Sequence, residues 1–150
     1  MSPERQLRET EDFLHRQIPI TAAMGVRVES WDAGEQLTLT APLGLNHNHL
    51  GTAFGGSLAA IATLAGYAFL WLELGDRAAH VVIAESSLAY RRPVKEEIRA
   101  ICRRPEGGSL AAFKATFAQA GKARLRLDLI IENADGAVAV EFGGTFVARK

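Results

Sequence analysis

The chain is 150 residues long, with 17 Lys+Arg against 17 Asp+Glu and a formal net charge of +0. That length suits one domain spanning residues 1–150 and excludes two ordinary ones, and the balance excludes a global field drawing the protein to nucleic acid or an anionic membrane. A small-molecule ligand met by a local patch is the expectation that remains. The single cysteine, Cys102, cannot close an intramolecular disulfide, and the charged N-terminus MSPERQLRETEDFLHRQ lacks the apolar stretch of a signal peptide, so the chain reads as cytoplasmic.

Ser2 followed by Pro3 and Glu4 predicts a capped amphipathic helix to about Gln17, with Leu7, Leu14 and Ile18 near helical spacing. Beyond Gly25 the period becomes two: Val26 and Val28, a turn at Asp32-Ala33-Gly34, then Leu37 and Leu39 between Thr38 and Thr40, which predicts a hairpin. Ala53 to Leu72 holds 20 residues without a charge. Its length suits a bilayer span. However, no Lys/Arg asymmetry flanks it, it contains Gly55, Gly56 and Gly66, and the half-buried strands around it need an apolar object to cover, so a buried central helix is expected and no membrane. His80 to Tyr90 reads as a strand apolar on both faces, and Ile98, Ala100 and Cys102 mark another. Leu110, Phe113 and Phe117 after Ser109 predict a short helix closed by Gly121. Ala123 to Glu132 alternates strictly, and the turn Asn133-Ala134-Asp135-Gly136 leads into a last strand carrying Val138, Val140, Phe142 and Phe146.

The stretch NHNHLGTAFGGS, Asn46 to Ser57, carries most of the chemistry. Gly55 and Gly56 let a ligand approach the backbone at a helix start, where the first N–H groups lack partners and stabilise an oxyanion or a phosphate. Tight packing explains the same pair. His47 and His49 lack metal-ligand spacing, so no metal is expected, and His49 remains a candidate base. Ser57 lies outside any nucleophile elbow. Glu85 is the one charge between Val81 and Tyr90, where burial would make it a general base or a structural ion pair. Arg91, Arg92 and Lys95, with Arg103 and Arg104 beyond them, suit a phosphate-bearing tail or a solvated edge.

These motifs resemble a hotdog-fold thioesterase. Asn48, then Gly-Thr-x-Phe-Gly-Gly with Phe54 six residues on, resembles the Asn…His-Gly-Gly motif of the phenylacetyl-CoA-type thioesterases. Asn-x-Asn, Phe-x-Gly-Ser and Ala-acid-x-x-x-x-Tyr-x-x-Pro-Val are more similar still to the thioesterase-like domain fused to some GNAT-type acetyltransferases. The resemblance implies an α+β hotdog fold, an antiparallel sheet wrapped around one long central helix. It also implies a homodimer or dimer of dimers in which the Ala79 to Tyr90 strands pair across a two-fold axis and the site lies between subunits. Asn48 would contact the thioester or the water, and the Gly55 N–H would be the oxyanion donor, with Phe54, Gly56, Arg91 and Arg92 binding substrate. Phe54 stands where the better-known enzymes have histidine, and Thr63 where their central helix carries the catalytic acid. Thr63 can only orient a water, so the base would be Glu85 first and His49 second.

The leading expectation is hydrolysis of an acyl-CoA or acyl carrier protein thioester, with coenzyme A present only as part of the substrate and no other cofactor. Two readings stay open beside it: a non-catalytic acyl-thioester-binding domain, and a 3-hydroxyacyl-thioester dehydratase or hydratase using His49 with Glu85.

Overall fold

The computed structural model describes residues 2–32 and 34–150. Helix α1 spans Pro3–Gln17, capped by Ser2, whose hydroxyl accepts from the Arg5 N–H at 3.2 Å. A one-turn helix α2, Pro19–Ala23, follows after Ile18; its five residues are too few for periodicity to reveal. Strands β1 (Arg27–Trp31) and β2 (Gln36–Ala41) form the expected hairpin; of its turn, Ala33 lies outside the described residues. A 3-10 turn at Leu43–Leu45 leads to the long helix α3, Gly55–Leu74. Then come β3 (His80–Tyr90), β4 (Ile98–Arg103), α4 (Ser109–Ala120), β5 (Lys122–Glu132) and β6 (Val138–Arg149).

The strands form one antiparallel sheet in the order β1-β2-β4-β5-β6-β3, curled around α3 in the hotdog arrangement. The strict alternation of β5 is met in full, with Ala123, Leu125, Leu127, Leu129 and Ile131 buried toward the helix. Helix α3 packs on β2 to β6, Trp31 of β1 meets Phe69 edge-on at 5.6 Å between ring centroids, and Ile61, Ala62, Ala65, Ala68, Phe69 and Leu70 lose all contact with water. A helix apolar all round needs such cover, and this one, long enough to cross a bilayer, is the core of the sheet. At Gly66 an added Cβ would run into the Phe146 ring; the absent side chain lets β6 and α3 pack closely. Gly75 ends the helix at φ 65°, a left-handed cap that glycine adopts without strain. Outside the sheet, Phe13 of α1 stacks on Trp71 at 4.2 Å between ring centroids.

Strand β3 departs from the sequence expectation. It is the last strand of the sheet, paired with β6 on one side only, and most of its residues are exposed, Val82 at 57 % and Glu85 among them. A bulge between Ile83 and Glu85 changes its facing. Ile83 stands opposite Phe146 and Leu88 opposite Phe142, whose buried rings belong to the inner face, whereas Glu85 stands opposite Thr145. Opposed residues in a ladder share a face, so Glu85 points away from α3.

Candidate active site

Residues 46 to 54 form a closed loop whose geometry is set by Asn46. This side chain is buried and its amide donates to the carbonyls of Met24 at 2.9 Å and Pro42 at 2.8 Å, while the backbone carbonyl of Asn46 accepts the Phe54 N–H at 2.7 Å. One residue thereby fixes α2, the end of β2 and the start of α3 relative to one another. The sequence signal was the Asn-x-Asn motif, read for its second asparagine rather than its first. Asn48 closes the inner turn: its Oδ1 accepts from the N–H groups of Leu50 at 2.9 Å and Thr52 at 3.2 Å, and its Nδ2 donates to Thr52 Oγ1 at 2.8 Å. That leaves one amide hydrogen of Asn48 for a substrate or water. His47 faces solvent with its Nδ1 2.9 Å from the Asn48 carbonyl oxygen. His49 is exposed, and its ring makes no hydrogen bond among the described residues. No group of three His, Cys, Asp or Glu converges there or elsewhere among those residues.

Helix α3 begins without a side-chain cap. Phe54 is the cap residue at φ −66° and ψ 134°, and the first helical bond is Leu58 N–H to the Phe54 carbonyl at 3.1 Å. The N–H groups of Gly55, Gly56 and Ser57 therefore have no acceptor among the described residues, and the positive end of a 20-residue helix stands behind them. An added Cβ at Gly56 would run into the Phe54 ring, so glycine here lets that exposed ring fold back over the helix start. Tyr90, from the end of β3, donates to the Gly55 carbonyl at 3.4 Å.

Two unlike hollows flank this helix start, one at Gly56 and one at Gly55. The larger is a cleft of about 770 Å³ between α2, α3 and β3, lined almost wholly by apolar groups, including Ile20, Met24, Ala60, Leu64 and Ile83, and reaching Gly56. The smaller, about 320 Å³, is lined by Gly55, Leu58, Tyr90, Arg91, Arg92 and Pro93. Thr63 lies in the larger cleft. Its Oγ1 donates to the Ala59 carbonyl at 2.8 Å, so toward the cleft it offers only lone pairs. One turn further on, Tyr67 also lines the cleft, and burial pushes its phenol upward, so it stays neutral. Sequence reasoning passed over Tyr67, although its spacing of four from Thr63 placed it on the same helix face.

The structure thus joins Gly56 with Thr63, and Gly55 with Arg91 and Arg92. Asn48, His49 and Phe54 sit on the loop that leads into the helix start and line neither hollow. Two expectations need correction. Glu85 is neither buried nor on the inner face, so within this chain it does not face Thr63 or the helix start, and the His49–Glu85 pair required for hydration is not formed. Arg104 does not join a phosphate site either. It lies at the opposite end of α3, its Nη1 2.7 Å from Glu73 Oε1, which Lys114 also approaches at 3.0 Å.

An uncapped helix start flanked by an apolar cleft and a basic hollow, on a helix wrapped by an antiparallel sheet, fits a hotdog protein of the thioesterase class. The chain belongs to the YiiD_C family, described as "Putative thioesterase (yiiD_Cterm)", which matches residues 7–150. Among solved structures, it is similar to a protein of unknown function from Chlorobaculum tepidum TLS, 34 % identical over 99 % of this chain and 97 % of that one, with a TM-score of 0.87. It is also similar to a "putative thioesterase" from Shewanella oneidensis, 27 % identical over 98 % of this chain and 99 % of the other, with a TM-score of 0.85. A "probable thioesterase" from Pseudomonas aeruginosa is 26 % identical over 95 % and 94 %, at 0.79.

Proposed function

We propose that the protein hydrolyses an acyl thioester carried by coenzyme A or by an acyl carrier protein. The observation that supports this reading is the pair of hollows flanking Gly55–Gly56: an apolar tail and a phosphate-bearing tail leave a thioester in opposite directions, and only its carbonyl needs the N–H groups between them. The acyl chain then lies in the cleft along α3, and Arg91 and Arg92 meet the phosphates of the carrier arm.

In this reading the free amide hydrogen of Asn48 steadies the oxygen of the attacking water, which donates a hydrogen bond to a lone pair of Thr63 from the second copy of a dimer, because within one chain the helix rise of ~1.5 Å per residue sets Thr63 about 10 Å from Gly56. The water oxygen attacks the carbonyl carbon, and the carbonyl electron pair moves onto oxygen, where the Gly55 and Gly56 N–H groups and the helix dipole receive it. Collapse of the oxyanion breaks the C–S bond and expels the thiolate. His49 takes the proton from water and returns it to the sulfur. It is assigned this role because Glu85 faces outward and an imidazole can both accept and donate a proton through its two ring nitrogens.

The same reading takes a homodimer. Strand β3 offers a free edge, and Phe54, Val82 and Tyr90 expose 56 %, 57 % and 55 % of their surface around it; a second copy pairing there covers them and closes the sheet edge.

Thiol release from acyl-CoA and acyl carrier protein substrates tests the proposal, using the natural chain, Asn48→Ala and Thr63→Val. Release that falls about tenfold or more in both variants is expected, the loss that follows from misplacing an attacking water. Release unaffected by either change removes these residues from the site. Saturable binding with no release on any substrate transfers the protein to the non-catalytic binding class, and hydration of an enoyl thioester without thiol release makes it a hydratase.

A further inference from the structure

The cleft has a definite end along α3. Among the α3 residues that line it, Gly56, Ala59, Ala60 and Thr63 carry small side chains that leave a groove flanked by Ile61 and Leu64, and Tyr67 is the last of the lining. Beyond Tyr67 the next residues of α3, Ala68, Phe69, Leu70 and Trp71, are buried in the packing of the core. The row at spacings of three and four thus changes from small side chains to one large ring at the point where the groove stops. Phe146, whose ring packs against Gly66, lines the cleft too.

We infer that Tyr67 sets the length of acyl chain the protein accepts, closing the groove that begins at Gly56. This rests on the thioesterase reading, because it takes the carbonyl to lie at the Gly55–Gly56 N–H groups and the chain to run along α3. The helix rise of ~1.5 Å per residue places Tyr67 about 16 Å beyond Gly56, and its ring leans back toward the helix start by about a turn. An extended hydrocarbon advances ~1.25 Å per carbon, from bonds of ~1.5 Å in a zigzag, so the groove accommodates roughly 8 to 12 carbons. The acyl substrates are therefore of medium length, and longer chains meet the Tyr67 ring.

The test is the dependence of kcat/KM on chain length, from short to long acyl-CoAs, for the natural chain, Tyr67→Ala, Tyr67→Phe and Ala60→Met. The natural chain is expected to lose activity of roughly tenfold beyond about 12 carbons, the scale of one or two methylenes refused by a closed apolar site. Tyr67→Ala moves this limit to longer chains by several carbons, Tyr67→Phe leaves it in place because the ring remains, and Ala60→Met draws it to shorter ones. Each profile is a ratio between substrates for one variant, so partial loss of folded protein does not disturb it, and Ala60→Met carries the test if Tyr67→Ala does not fold. Active Tyr67→Ala and Ala60→Met proteins with the natural profile would overturn the inference. Binding of non-hydrolysable S-alkyl-CoA thioethers, measured by calorimetry across the same lengths, separates the two levels. A length limit that moves in binding while no thiol is released from any ester upholds the role of Tyr67 and rejects hydrolysis, whereas an unmoved limit in binding rejects the role of Tyr67 even if release is observed.

Discussion

Glu85 stands opposite Thr145 across the β3–β6 ladder, on the sheet face turned away from α3. Ile83, two residues earlier, faces the helix opposite Phe146, and the bulge between them accounts for the reversal. Pairing of β3 with a second copy would extend the sheet at its edge without turning Glu85 over.

Glu85→Gln is accordingly expected to keep kcat/KM within about twofold of the natural chain, since a group that cannot reach the reacting atoms cannot transfer their proton. Steady-state thiol release across a range of pH checks this. A drop of about a hundredfold would return the general base to β3.

Arg91 and Arg92 are exposed beside the Gly55 hollow, and Arg91 already has Glu141 at 3.6 Å as a partner. Changing both to alanine should raise KM for acyl-CoA roughly fivefold, the effect of about 1 kcal/mol from an exposed charge contact, with kcat little changed. A short thioester of N-acetylcysteamine, which lacks phosphate, should show no such rise. Added salt should reproduce the effect on the natural chain, because exposed charges are screened.

Asn46→Ala removes the two amide bonds to Met24 and Pro42, but it also removes a buried side-chain oxygen, Oδ1, that has no partner. The loss and the relief oppose each other, so destabilisation of about 1–2 kcal/mol is expected rather than more. Urea denaturation measures that cost. Turnover should fall further than stability, because the same bonds hold the start of α3 in register with the cleft.

Cys102 is fully buried on β4, and burial pushes its thiol up from 9.0 to about 12. The folded state thus holds this proton more tightly than the unfolded chain. Its contribution to stability is fully present below about pH 9 and is lost as the pH rises toward about 12. Thermal melting across that window should fall more steeply for the natural chain than for Cys102→Ala. A thiol reagent at neutral pH should react with Cys102 only as the protein unfolds.

Most of the fold could be read from local pattern. The cap at Ser2, the alternation of β5, the uncharged run of α3 and the glycines Gly75 and Gly121 that end α3 and α4 are written in neighbouring residues, and the elements appear where those residues place them. Helix α2 has five residues and the 3-10 turn three, below the length at which a period can be recognised.

The site divides along the same line. That Gly55 and Gly56 open a helix, that Thr63 lies along it, and that Arg91 and Arg92 follow a strand were all determined by the sequence, because each depends on residues close together in the chain. Only the tertiary structure decided that β3 is an edge strand, that a bulge turns Glu85 outward, that Arg104 belongs to Glu73 at the far end of α3, and that Tyr67 lines the same cleft as Gly56. Those outcomes depend on which strand lies beside which and in what register. A one-residue shift of facing leaves hydrophobic composition unchanged and moves a side chain to the other side of the sheet.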